Sequence, residues 1–424
     1  MRTVRFWVAP VVGLIVAIVL ATTSLIIDSA LTWPTAPPPP LLAGSASTAG
    51  SLFSAIAGAV TSLLALVFTI ITVVIQLATG QYSARALRTL YMDRPTHFTI
   101  GIFVTTITYS LMVLPSVKSE GDPLGVTVML AVLLAVLSVV TFAIFAHHVA
   151  HLIRVGSLTA AMAGDTRSVI DREMPHPVSH ETEAPAAPGP PKERPSQSVC
   201  TTTSGSLVDV DEEALLRAAQ TIDGVIEVVP AIGDYLPEGA TLFRIWGPDT
   251  SHDVLRQSVT LDVERTVDRD VAWGLRLLVD VCVRALSPGI NDPTTAVQSL
   301  DRIHDLLRLL STRAMPKTQW FDPEGELRVL THSPNWEDFV AIATDEVRQA
   351  GAQQLQVMRR LRALLLDIRD VAPSGRRPPL DRRLAVLDAT IERTFEDEDD
   401  CRLAAQPDVQ GIGGGFPTAY ERDV

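Results

Sequence analysis

The first 150 residues alternate between long uncharged apolar runs and short polar breaks, a pattern that the core of a water-soluble domain does not need. Four runs reach about the 20 residues a helix requires to cross a hydrocarbon core, at 6–27, 52–77, 98–114 and 124–146. The third is the shortest and includes Thr105, Thr106, Thr108 and Tyr109. The first follows Arg2 and Arg5 as a signal peptide would. Its apolar stretch exceeds the roughly 7–15 residues of a signal core, so a retained anchor is expected. No Asp, Glu, Lys or Arg lies within these four runs. Intramembrane charges mark proton relays and ion-coupled pumps, so their lack weighs against a pump and leaves a passive pore open.

Positive charge in the short loops sets the expected orientation. Arg2 and Arg5 precede the first run, Arg85, Arg88 and Arg94 lie between the second and third, and Arg154, Arg167 and Arg172 follow the fourth. The loop at 28–51 has no Lys or Arg and is rich in proline, and the third loop has only Lys118 beside Glu120 and Asp122. This alternation predicts a multi-pass protein of the bacterial inner membrane with both termini in the cytoplasm.

Beyond the membrane domain (1–172) the periodicity changes three times. Residues 173–204 mix seven prolines with Glu, Ser and Thr, a composition that buries no core and reads as a flexible linker. Residues 205–247 read as a small β-module around one helix, with strands at 206–210, 225–230 and 241–246 and turn residues at Gly233-Asp234 and Pro237-Glu238-Gly239. The segment 232–245 is similar to the hairpins of barrel-sandwich carriers. Such carriers need a lysine for their cofactor, and none occurs between Lys192 and Lys317, so no swinging-arm role and no cofactor is expected. Residues 248–405 carry helical periodicity, with helices at 270–286, 293–310, 335–370 and 380–405, and 406–424 reads as a disordered tail. The fold class is therefore a four-helix transmembrane domain plus a cytoplasmic α+β domain that is mostly helical.

Composition removes several functions. The chain of 424 residues carries a net charge of −13, which argues against a nucleic-acid partner because phosphate binding needs clustered cations. Cys200, Cys282 and Cys401 follow no metal-ligand spacing and fit a reducing compartment. There is no P-loop, no Gly-x-Gly-x-x-Gly opening a helix, no His-Glu-x-x-His and no Gly-x-Ser-x-Gly, so no enzyme is expected.

Three groups of residues carry candidate chemistry. In the second run, Ser62, Thr69, Thr72, Gln76 and Thr79 recur at helical steps with Gly58 and Ala65 on the same face. Such a stripe is either a helix–helix seam or the lining of a pore. His147, His148 and His151 follow the fourth run at i,i+3 and i,i+4 spacing, which suits interface anchors or a weak metal site. The segment RALSPGINDPTTAV (284–297) reads as a tight helix–turn–helix corner. Pro288-Gly289 stops one helix, Asp292 is a good N-cap, and Pro293 suits the next first turn. Arg284, Ser287, Asn291, Asp292, Thr294 and Thr295 then either cap the corner or form an anion site at a helix N-terminus.

That corner, preceded by Glu264-Arg265-Thr266 and Gly274, resembles the uncharacterised bacterial integral-membrane family known as domain of unknown function 2254. QYSARAL (81–87), FAHHVAH (145–151) and VDEEALLRAA (210–219) extend the resemblance, which runs from the first apolar run to about residue 370. It implies an integral-membrane location and no settled activity. The reading drawn from the sequence is a homo-oligomer in the lipid bilayer that forms or regulates a passive path for an ion or small solute. The alternative is a membrane-tethered sensor or scaffold that binds an anionic ligand or a protein.

Overall fold

Uninterrupted apolar sequence leaves the backbone no partner but itself, and all four expected spans are helices. They are α1 (Val4–Ala30), α2 (Ala46–Gln81), α3 (Arg94–Val113) and α4 (Gly125–Leu152). The computed structural model describes residues 4–30, 46–81, 94–117, 125–152, 155–178 and 189–413. The proline-rich loop at 37–40, most of QYSARAL and the last eleven residues lie outside these. The chain divides into two units, Met1–Ser157 and Leu158–Val424.

In the first unit, α3 packs against α1, α2 and α4. Of its membrane window 44% is buried, against 11% for α2. This accounts for the hydroxyls of the third span, because Thr105 and Thr106 meet other helices. Thr105 Oγ1 donates to Gly13 O at 3.1 Å, and Thr106 Oγ1 shares a 2.9 Å hydrogen bond with Ser138 Oγ. At that crossing a Cβ on Gly13 would stand 2.6 Å from Gly101 O, so α1 and α3 touch backbone to backbone. Phe53, Phe103, Tyr109 and Phe145 fill the rest of the interior and are fully buried.

One sequence expectation changes here. Asp28, assigned to the first loop, is part of α1 and only 5% exposed. Its carboxylate accepts from Val126 N and Thr127 N, each at 2.9 Å, and from Thr127 Oγ1 at 2.6 Å. It therefore caps the N-terminus of α4 from another helix, where backbone donors have no partners of their own. Tyr109 OH completes the cluster, donating to Thr127 O at 3.0 Å beside Ser24 Oγ at 3.0 Å.

The second unit is α+β. Helix α5 (Val155–Glu173) leads into it, and β1 (Gln197–Cys200) shows that the last part of the expected linker is a strand. Then follow β2 (Gly205–Val210), α6 (Glu212–Thr221), β3 (Val225–Val228), β4 (Tyr235–Leu236), β5 (Thr241–Trp246), α7 (His252–Gln257) and β6 (Val259–Asp262). Helices α8 (Val271–Ala285) and α9 (Pro293–Ser311) precede β7 (Gln319–Phe321) and β8 (Leu327–Leu330). The expected helix at 335–370 is two, α10 (Trp336–Ala350) and α11 (Leu355–Val371), broken where Gly351 ends the first. The one at 380–405 is also two, α12 (Arg377–Thr394) and α13 (Glu398–Ala404), the second capped by Asp397.

The strands form two sheets, ordered β1-β5-β3-β8-β7 and β4-β2-β6. All pairings are antiparallel except β3 with β8. The small module expected at 205–247 therefore recruits strands from both sides of it. Segment 232–245 is not one hairpin, because β4 pairs with β2 whereas β5 pairs with β1 and β3. Leu207, Leu215, Ile226, Val228, Phe243 and Ile245 pack between sheet and helix. Residues 406–413, expected to be disordered, are held: Asp408 is 5% exposed and takes the amides of Gln410, Gly411 and Gly413, while Arg359 donates to Gln406 O and Gly413 O.

Candidate functional site

The stripe on α2 faces out of the four-helix bundle. Gly58, Ser62, Ala65, Thr69, Thr72 and Gln76 are all exposed, and a Cβ on Gly58 would meet nothing within 4 Å. The side chain of Thr79 lies outside the described residues. The hydroxyls of Ser62, Thr69 and Thr72 donate to the carbonyls of Gly58, Ala65 and Phe68, one turn back, at 2.8–3.0 Å. They are thus satisfied within their own helix, and the face stays free for another surface. Gln76 has no partner among the described residues. Among the described residues Phe53, Phe103, Tyr109 and Phe145 fill the interior of the bundle, away from this stripe.

The corner after α8 is a set of interlocking turns. Ile290 N and Asn291 N donate to Ser287 O, and Asp292 N reaches back to Ala285 O at 2.8 Å. Asn291 adopts a left-handed φ of 49° and accepts from Gln354 Nε2 at 2.9 Å, which ties the corner to the turn between α10 and α11. Asp292 caps α9: Oδ1 accepts from Thr295 N at 3.0 Å and Oδ2 from Thr295 Oγ1 at 2.6 Å. These bonds, the Thr295 hydroxyl first, hold its carboxyl below the usual range. A bound anion would meet this carboxylate at the helix N-terminus. Arg284 is half-buried in the last turn of α8, Ser287 Oγ donates to Arg284 O at 2.7 Å, and Thr294 is exposed.

His147 is exposed and His148 half-buried on α4, while the side chain of His151 lies outside the described residues. Among the described residues no three His, Cys, Asp or Glu side chains stand close enough to share a metal ion. Cys282 is fully buried, which pushes its thiol up to about 12.

A cluster that the sequence reading did not single out sits at the end of α5. Arg269 pairs with Glu212 at 2.6 Å, Asp209 at 2.9 Å and Glu173 at 3.5 Å, and donates to Val210 O at 2.7 Å. Burial alone would lower the pKa of its guanidinium, but the hydrogen bonds it donates to Glu212 and Asp209 outweigh this and raise it. Arg167–Asp305, Asp171–Arg313 and a bond from Arg172 to Asp268 O fasten the same helix. Gly274 of α8 completes the seam, because any Cβ there would overlap the side chain of Thr166. Arg265 bonds Asp270 at 2.6 Å, its guanidinium 4.9 Å from the ring centre of Trp273.

A family model of predicted membrane proteins, DUF2254, matches residues 3–367 of this chain. The chain belongs to this family. Among curated proteins, the uncharacterized protein Mb1321c of Mycobacterium bovis is 29% identical over 375 residues, covering 84% of this chain and 71% of its own. The uncharacterized protein Rv1290c of Mycobacterium tuberculosis H37Rv matches to the same extent, and MT1328 of strain CDC 1551 is 28% identical. No solved structure matches the chain. These matches indicate a membrane protein and no enzyme family.

Within this DUF2254 chain, the matched stretch contains both the outward stripe on α2 and the clamp around α5. Sequence alone signalled the first by spacing. The second combines residues more than 90 positions apart, such as Glu173 and Arg269, and a lone arginine among carboxylates gives no local signal of it.

Proposed function

We propose that this protein is a homo-oligomer of the bacterial inner membrane that forms or regulates a passive path for an ion or small solute, with both termini and the C-terminal unit in the cytoplasm. The observation that carries the reading is the outward face of α2. Lipid gives no hydrophobic drive for helices to associate, so seams form where small side chains let backbones approach and polar groups bond across. The stripe from Gly58 to Gln76 offers both on a face that none of the described residues of its own bundle covers. A path for solute would then run between subunits, since Phe53, Phe103, Tyr109 and Phe145 fill the bundle. The carboxylate of Asp28 is occupied by α4, which suits a passive path better than a proton relay.

The test is a triple substitution, Thr69→Val, Thr72→Val and Gln76→Leu, in protein reconstituted into liposomes, with subunit number measured alongside flux. A pore-lining stripe predicts an intact oligomer with reduced flux, and a packing seam predicts dissociation. A monomeric parent protein, or cysteines at 69, 72 and 76 that water-soluble thiol reagents never modify, would remove the channel reading. The second reading, a membrane-tethered sensor, is favoured by the ion pairs that fasten α5, the helix that follows the last span, into the C-terminal unit.

A further inference from the structure

Both ring nitrogens of His304, on α9, are engaged by α11. Nδ1 lies 2.9 Å from a terminal nitrogen of Arg360, and Nε2 lies 2.8 Å from Asp367 Oδ2. A guanidinium can only donate, so Nδ1 accepts and carries no proton. The ring proton is therefore on Nε2 and is donated to the carboxylate. The imidazole is neutral in this fold, with 18% of its side chain exposed. Burial, the largest effect, holds its pKa below the ordinary value; the bond to Asp367 opposes this and the charge of Arg360 adds to it.

The charges around the ring are paired with one another. On α9 itself, Asp301 takes Arg360 at 2.7 Å, and Arg308 joins Asp367 at 2.9 Å. Asp305 takes Arg167 of α5. Arg276 and Asp280 of α8 bond each other, and Arg276 also reaches Glu346 of α10.

Arg360 has a second role, as support for segment 406–413. Arg359 donates to Gln406 O and Gly413 O, and Gln356 Nε2 donates to Gly411 O at 2.6 Å, so the segment lies along α11. A Cβ on Gly411 would stand 3.3 Å from Arg360 Cδ and 2.6 Å from Val297 Cγ1, which seats this turn against the stem of Arg360. The charge within the segment, Asp408, takes the amides of Gln410, Gly411 and Gly413.

We propose that His304 is an acid-sensitive latch for segment 406–413. A proton added at Nδ1 removes the acceptor of Arg360 and sets two cations in contact. The side chain of Arg360 is 7% exposed and that of its other partner, Asp301, 46%. The guanidinium therefore leaves toward Asp301 and solvent, and Gly411 loses the side chain beneath it. Because the folded pKa lies below the unfolded value of about 6.5, the latch is fully closed above that value and opens as pH falls through the folded one. The inference stands whether or not the membrane helices conduct.

The test is hydrogen exchange of the full-length protein in detergent at about pH 7.5 and about pH 5, read as protection factors so that the intrinsic pH dependence of exchange drops out. Protection of segment 406–413 is expected to fall at least about tenfold in acid while α8 and α10 keep theirs. His304→Asn supplies an acceptor that does not titrate, and Arg360→Gln removes the cation that a protonated ring repels. Both variants should give the same protection of the segment at the two pH values. Equal protection of the parent at both would overturn the latch, as would an acid loss shared equally by α8 and α10. A full acid response in either variant that folds would assign the effect to another group, such as Asp408, and overturn the role of His304.

Discussion

Removing the Asp292 carboxylate separates a capped corner from an anion site. In Asp292→Ala the amide and hydroxyl of Thr295 lose acceptors now at 3.0 and 2.6 Å, and the first turn of α9 keeps unmatched donors. Loss of such a cap costs about 0.5–2 kcal/mol. For a unit of this size each kcal/mol moves the melting temperature by about 2–4 °C, so a drop of roughly 1–8 °C is expected. Asp292→Asn retains an acceptor and should lose less. The pH dependence has a definite sign. The Asp292 carboxyl is held below its unfolded value of about 3.9, so its contribution is complete above that value and disappears as pH falls through the folded pKa. The gap between parent and Asp292→Ala should therefore be constant near neutrality and close under acid. The assay is thermal unfolding of the full-length protein in detergent across pH, with and without phosphate. A melting temperature for Asp292→Ala equal to the parent's refutes the cap. Stabilisation of the parent by phosphate, lost in Arg284→Ala, would restore the anion site.

Two further outcomes follow from packing. Asp28→Ala strips three hydrogen bonds from a buried carboxylate and should destabilise the membrane unit by about 1–3 kcal/mol, read as faster thermal loss of soluble protein in detergent; an unchanged rate would show that the α1–α4 cap contributes nothing. Gly274→Val forces a side chain into Thr166 and should cost about 1–3 kcal/mol, partly recovered by Thr166→Ala in a double-mutant cycle; additive effects would mean that the two helices do not meet there.

Some of this was legible from local sequence. The four spans follow from apolar continuity alone, because a backbone in lipid has to satisfy itself. The helix ends around the corner follow from Pro288, Gly289, Asp292 and Pro293, whose effects act within a few residues. The end of α1 is not legible at Asp28, because a charged side chain normally ends a span, yet the helix runs to Ala30. The partners of Asp28, the amides of Val126 and Thr127, lie nearly 100 residues away. The strand at 197–200 was hidden among prolines, and its pairing with β5 comes from more than 40 residues further along.

The sequence by itself determined which segments are membrane helices, that the rest of the chain is α+β, and where the corner turns. These depend on hydrophobic run length and capping chemistry, which are properties of neighbouring residues. Tertiary structure alone decided that the α2 stripe faces outward, that Arg269 gathers carboxylates from α5, β2 and α6, and that β3 pairs in parallel with β8. A helical pattern defines a polar face without saying what it faces. An arginine names its charge and leaves its partners to the fold that brings distant carboxylates within reach.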